Sequence, residues 1–187
     1  GSIEVVKGSA GVRYGPDAIA GVVIVNAPKM LDQPGIRFDT HTVGALNGRR
    51  GTFAMRLEGN HEIVPELSWR LDGNYSRGAG LDTPNYPLDN TGIEEWNGGA
   101  VLAYEGDCWS AKLSYRRNST TNGVCLCVRK ETTADFDAQV LLEAPVYSEL
   151  YKADYEIDRP YHGVVHDTLI AHSKLELGEL GKLEATY

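Results

Sequence analysis

No stretch of this chain approaches the ~18 consecutive apolar residues of a membrane-crossing helix, so no segment reads as one. Basic residues are in short supply, 18 Lys and Arg against 26 Asp and Glu, for a net charge of −8. That balance argues against a nucleic-acid partner, which needs a basic face to neutralise phosphates. Cysteine is scarce: Cys108, Cys125 and Cys127 are an odd number and build no disulfide framework. Catalytic signatures are missing as well, with no nucleophile elbow, no H-E-x-x-H and no phosphate loop before a helix, and the reading is not an enzyme. An initiator Met and a signal peptide are absent; apolar residues 19–25 lack basic flanks and a cleavage site. The chain is therefore expected to be cut from a longer one, and its location does not follow from the missing signal.

What is present points to strands and turns. Phe and Met number 3 and 2, beside 21 Gly and 10 Tyr. The 187 residues suffice for one or two domains, and two regions follow different rules. In residues 1–30, "IEVVKG" is a short β-run, "SAGVRYGPDA" is turn-rich, and "GVVIVNA" is apolar on both faces, as a strand buried on both sides would be. Gly11, Gly15 and Gly21 supply positive φ or close backbone approach around the connection. Residues 31–35 read as a linker within "PKMLDQPG".

From residue 36 to 187 the period is two. In "ELSWRLDGNYS" Leu67, Trp69, Leu71, Gly73 and Tyr75 alternate with Ser68, Arg70, Asp72, Asn74 and Ser76, an uncharged face against a polar one. Phe53, Met55 and Leu57 repeat this against Thr52, Arg56 and Glu58, as do Trp109, Ala111, Leu113 and Tyr115 against Ser110, Lys112, Ser114 and Arg116. Seven strands are expected, near 36–47, 51–61, 66–77, 96–105, 107–117, 162–177 and 182–187. In an antiparallel meander the long connections 78–95 and 118–161 then share one end with "NGRRG", and the short ones share the other. Outer-membrane barrels have this asymmetry. Most runs reach the ~9–11 residues of a tilted spanning strand rather than the ~5–6 of a soluble one. Trp96 and Tyr104 lie on one face, a separation of ~19 Å along the normal at ~45° tilt, near the height of a lipid band. A soluble β-sandwich, also alternating and rich in Gly, is the competing reading.

A family resemblance bears on this choice. "IEVVKGSAGVRYGPDAIAGVVIVNAPK" resembles the C-terminal end of the plug domain of TonB-dependent outer-membrane receptors, through Ile3, Glu4, Val5, Gly8, Tyr14, Gly15, Ala18, Ile19, Gly21 and Val22. Ala20 stands where the family usually carries a second Gly. "GRRGTFAMRLEG", "LDTPNYPLDNTGIEEWN" and "YEIDRPYHGVVHD" are similar to segments of the first barrel strands in such receptors. The resemblance implies an internal fragment: the end of the plug (1–30), then about seven N-terminal strands of a plugged antiparallel transmembrane β-barrel. Those strands would form an open curved sheet, all-β, from a barrel of ~22 strands. It further implies an outer-membrane location, contact with outer-membrane lipid, and active uptake of a scarce nutrient such as an iron chelate, a cobalamin or an oligosaccharide. The TonB energy-coupling protein would engage a segment upstream of this chain. No cofactor is implied. The alternative function is a passive surface binding or adhesion protein built as a sandwich or small barrel.

Candidate sites follow from both sources. By resemblance, Arg13, Tyr14, Gly15 and Gly21 carry the plug motif, and Arg13 is either part of a charged plug–barrel lock or a solvated turn arginine. Residues 118–161 hold eight acids against four bases, half of the net charge, either discouraging anions or simply solvated. Tyr147, Tyr151, Tyr155 and Tyr161 offer stacking surfaces for a ligand or pack the loop onto its neighbours. Cys125 and Cys127 suggest a metal pair, yet a zinc site wants four ligands, and His162 and His166 stand ~13 Å apart in an extended strand, so no metal site is assigned.

Overall fold

The computed structural model describes residues 1–8, 21–125 and 132–187 of the chain. They divide into two compact units, Gly1–Leu31 and Asp32–Tyr187. In the small unit β1 (Ser2–Val6) pairs antiparallel with β2 (Val22–Asn26), from Ser2↔Asn26 to Val6↔Val22. Gly21 leads into β2 with φ +124, and a Cβ there would stand 2.6 Å from the Val6 carbonyl oxygen, so both backbone angle and space demand glycine. Arg13, Tyr14 and Gly15 lie outside the described residues.

The large unit is one antiparallel sheet in simple chain order, β3 (Gly35–Ala45), β4 (Arg50–Asn60), β5 (Leu67–Gly78), β6 (Ile93–Glu105), β7 (Trp109–Gly123), β8 (Tyr161–Glu176) and β9 (Lys182–Thr186). It is open: β3 and β9 do not pair. Residues 46–49, 79–92 and 124–160 connect strands at one end, and the short connections 61–66, 106–108 and 177–181 sit at the other. Two strands outrun the sequence expectation. β6 starts at Ile93 because Glu94 and Glu95, adjacent acids that blur the apolar pattern, pair with Arg77 and Ser76 of β5. β7 continues to Gly123 because Asn118–Asn122 is polar on both faces, which hides its period while leaving its ladder intact. The one α-helix among the described residues, α1 (Thr133–Val140), lies in the longest connection. Its sequence mark is Thr132 with an acid three residues on.

Register keeps each face consistent across the sheet. Phe53↔Tyr75, Leu57↔Leu71, Tyr75↔Trp96, Leu102↔Leu113 and Tyr115↔Leu169 share one face. Glu58↔Arg70, Arg56↔Asp72 and Asn97↔Asn118 share the other. Burial inverts the usual order of a water-soluble sheet. Among the described residues the buried side chains are Glu58, Asn60, Ser68, Arg70 and Ser76 with only Ala79 and Ala103 apolar, while Met55, Leu71 and Leu113 are about half exposed.

Glu58 anchors the polar face. It is fully buried, accepts from Arg37 Nη2 at 2.6 Å and from Arg70 Nε at 2.8 Å, and has Arg56 Nε at 3.7 Å. Two strands on, Arg116 reaches over Gly99 to Asp72, 2.9 Å away, and a Cβ on Gly99 would press on that guanidinium at 3.1 Å. Arg50 binds both Glu95 and Ser76, closing a third pairing. Removing one partner from a buried pair strands the other charge. Arg70→Met is expected to cost about 3–5 kcal/mol. Arg37→Met, whose side chain is 45% exposed, should cost about 1 kcal/mol or less. Denaturant unfolding of the refolded protein reads both, and equal costs would contradict this account of the cluster.

Candidate functional site

Two features of the large unit bear on function: the apolar face and the end where the long connections meet. On the apolar face, aromatic side chains bracket an uncharged band. Trp69, Tyr104 and Trp109 mark one border, with the Tyr104 and Trp109 rings 5.1 Å apart. Tyr75, Trp96 and Tyr115 mark the other. Beyond this second border the face turns ionic: Tyr75 donates to Glu94 at 2.9 Å, Tyr115 donates to Asp167 at 2.6 Å, and Arg117 lies 5.5 Å from the Trp96 ring centre.

The border runs diagonally across the ladder. Its charged members are Arg77↔Glu94 on β5 and β6, then Arg117↔Asp167 on β7 and β8, and Arg117 is in register with Gly98 and hence Gly73, four residues below Arg77. Four residues are ~13 Å along a strand, and the offset accumulates over two strand spacings of ~4.8 Å, so the band crosses the rows at about 54°. Strands of a membrane barrel tilt by about 35–45°.

At the long-connection end, side chains tie three connections together. Asn47 and Asp82 exchange two hydrogen bonds, Asn47 Nδ2 donating to the Asp82 carbonyl at 3.0 Å and Asp82 N–H to Asn47 Oδ1 at 2.9 Å. Asn90, with φ +50, donates to the carbonyls of Asp158 at 3.0 Å and Pro160 at 2.9 Å and accepts from Asp158 N–H at 2.9 Å. Gly80 N–H donates to the Asp154 carbonyl at 2.8 Å. Tyr155 stands between two guanidiniums, Arg49 at 5.7 Å and Arg77 at 5.6 Å from its ring centre, and its hydroxyl donates to the Arg49 carbonyl at 2.8 Å. An open pocket of about 220 Å³ here is lined by Asp89, Asn90, Lys152, Asp154, Glu156 and Asp158, with Leu150.

Family models, characterised proteins and solved structures contain no match to this chain.

The four loop tyrosines do not converge. Tyr155 packs the loop onto the 46–49 connection and β5. Tyr151 lies partly buried near Asp89, Tyr86 and Glu149, and its phenol is raised above the ordinary value, chiefly by burial and then by Asp89. Tyr147, φ +67, and Tyr161, at the start of β8, stay exposed. Arg49, Arg77 and Asn90 were not singled out by sequence; the mark for Asn90 is its place in a "DNTG" turn, where Asn tolerates positive φ. Cys108 is a free, exposed thiol, Cys125 is disulfide-bonded, and Cys127 lies outside the described residues. A disulfide sulfur is no thiolate ligand. Among the described residues no group of three or more His, Cys, Asp or Glu is arranged around a metal-sized space.

Tyr155→Ala removes two cation–π contacts and a hydrogen bond, an expected loss of about 2 kcal/mol of local stability, whereas Tyr155→Phe removes only the hydroxyl bond, about 1 kcal/mol. Exchange of the Gly80 amide proton, which is held by Asp154, should quicken in that order. Equal exchange in both variants and the parent would mean that Tyr155 does not hold the rim.

Proposed function

We propose that this chain belongs to a TonB-dependent outer-membrane receptor, comprising the end of its plug and the first strands of its barrel, and that the whole protein takes up a scarce nutrient across the outer membrane. The observation that carries the reading is the inverted sheet: an uncharged, half-exposed apolar band bordered by aromatic rows, opposite a polar face whose charges are paired and whose Glu58 and Arg70 are buried. Lipid is the solvent that makes such a face stable, because an apolar face of this extent in water is a liability. The diagonal of the band and the gathering of long connections at one end agree with tilted strands and surface-facing loops. The plug-like motif around Tyr14, Gly15 and Gly21 supplies the link to TonB, which would act through an upstream segment of the parent protein. Arg13 remains the residue for which the resemblance implies a lock, with a solvated turn arginine as the alternative, and the loop tyrosines Tyr147, Tyr151, Tyr155 and Tyr161 are the candidate ligand contacts. A passive sandwich protein would cover the apolar face with a second sheet; the described residues of the large unit form one sheet.

Two experiments test this reading. Leu71→Arg places a cation at the middle of the band and should cost about 2–4 kcal/mol when the parent protein folds into lipid vesicles. On a water-facing sheet the same change stays within about 0.5 kcal/mol, an outcome that counts against a lipid-facing band. Expression of the parent gene in an outer-membrane host with and without TonB, on iron-chelate, cobalamin and glycan sources, should give uptake that vanishes without TonB. Binding that persists with no uptake in either host favours passive capture.

A further inference from the structure

The polar face carries one row that its own charges leave alone. Asn74, Asn97 and Asn118 are successive cross-strand partners on β5, β6 and β7, and His166 of β8 continues the row. All three amides are half-buried and so open to a solute. Asn97 Nδ2 donates to Asn74 Oδ1 at 3.2 Å, which leaves Asn97 Oδ1 and Asn74 Nδ2 without a side-chain partner among the described residues. Asn118 makes no side-chain hydrogen bond among the described residues. On either side of the row the carboxylates are taken: Asp72 by Arg116, Glu95 by Arg50, and Glu58 by Arg37 and Arg70.

We propose that the Asn74–Asn97–Asn118 row is a contact track for a neutral polyhydroxylated ligand, a glycan chain, in preference to an anionic chelate or a cobalamin. The inference rests on the transport reading, in which the polar face lines the ligand's path, and narrows its cargo. A planar amide offers a donor and an acceptor side by side, the pattern that adjacent sugar hydroxyls complement. Amides on neighbouring strands stand ~4.8 Å apart, about one sugar ring per rung. An anionic chelate needs cations that are not already neutralised, and the arginines flanking this row are engaged. A corrinoid needs a broad apolar wall, and this stretch of the polar face offers amides and hydroxyls instead.

The test uses the full-length parent protein and three glycan probes, maltoheptaose, xylohexaose and inulin, beside ferric citrate and cyanocobalamin. Binding of at least one glycan is expected, weakened at least about tenfold by Asn97→Leu with Asn118→Leu together. Asn118→Leu alone, which breaks no internal bond, should weaken it severalfold, and it decides the matter should the pair fail to insert. Glycan binding that neither variant changes overturns the track, as does the absence of binding to all three glycans. TonB-dependent uptake of ferric citrate or cyanocobalamin alone also overturns it but leaves the transport reading standing. Failure of the wild-type protein to enter the outer membrane removes both.

Discussion

Everything in the large unit depends on parity. Successive side chains of a strand point to opposite faces, so a slip of one residue in any pairing would exchange the two faces of that strand. Seven strands hold the same sense through six pairings, and the turns must keep count. The connections at the short end are tied at their bases: Leu67 N–H donates to the Val64 carbonyl, Gly106 N–H to that of Trp109, and Leu177 N–H to that of Gly181. Such closed turns fix the offset before any side chain is consulted, and the alternation of Trp, Leu and Tyr with Ser, Arg and Asp then rewards only that offset.

Parity sorts charge to one face, and the charge must then be neutralised there. A buried carboxylate without a partner is costly, which is why Glu58 is met by Arg37, Arg56 and Arg70 rather than by one of them. Asp39 in turn lies 3.6 Å from Arg37, so the surplus of cations around Glu58 is partly offset. Glycine has a part in this arrangement. Because Gly99 lacks a side chain, Arg116 can cross a whole strand to Asp72, and the wall closes its ion pairs laterally instead of projecting them. The uncharged amide row is what remains once these pairings are complete.

How much of this was legible in the sequence divides along physical lines. The seven strands, their order and the side of each long connection follow from period two and turn residues, because those signals are local and repeat. Both ends of the polar extensions were missed, at Ile93–Glu95 and Asn118–Gly123, since a strand that is polar on both faces has no period to read. The diagonal of the aromatic borders was out of reach, being a property of register between strands and not of any strand alone. The loop tyrosines were the right residues to notice, but which of them packs was not: Tyr155 is set by Arg49 and Arg77, 106 and 78 residues away in sequence. Of the motif that carries the family resemblance, Gly21 has the positive φ expected of it, while Arg13, Tyr14 and Gly15 lie outside the described residues.

The long-connection end solves a different problem from the sheet. A segment as long as 124–160 loses little extra entropy per added residue on closing, yet its backbone must still find partners. It finds them in the last ten residues before β8, where Asn90, Asp89, Gly80, Arg49 and Arg77 all bind backbone or ring atoms of 152–160. Of the earlier part, the described Leu141, Tyr147 and Leu150 are exposed. The described rim thus has a base fastened to the strand ends. In the proposed transport reading, loops that admit a ligand must keep their strands in register, and a fastened base does so while local opening stays cheapest where contacts are few. Opening beyond that base would leave the parity of the sheet below untouched.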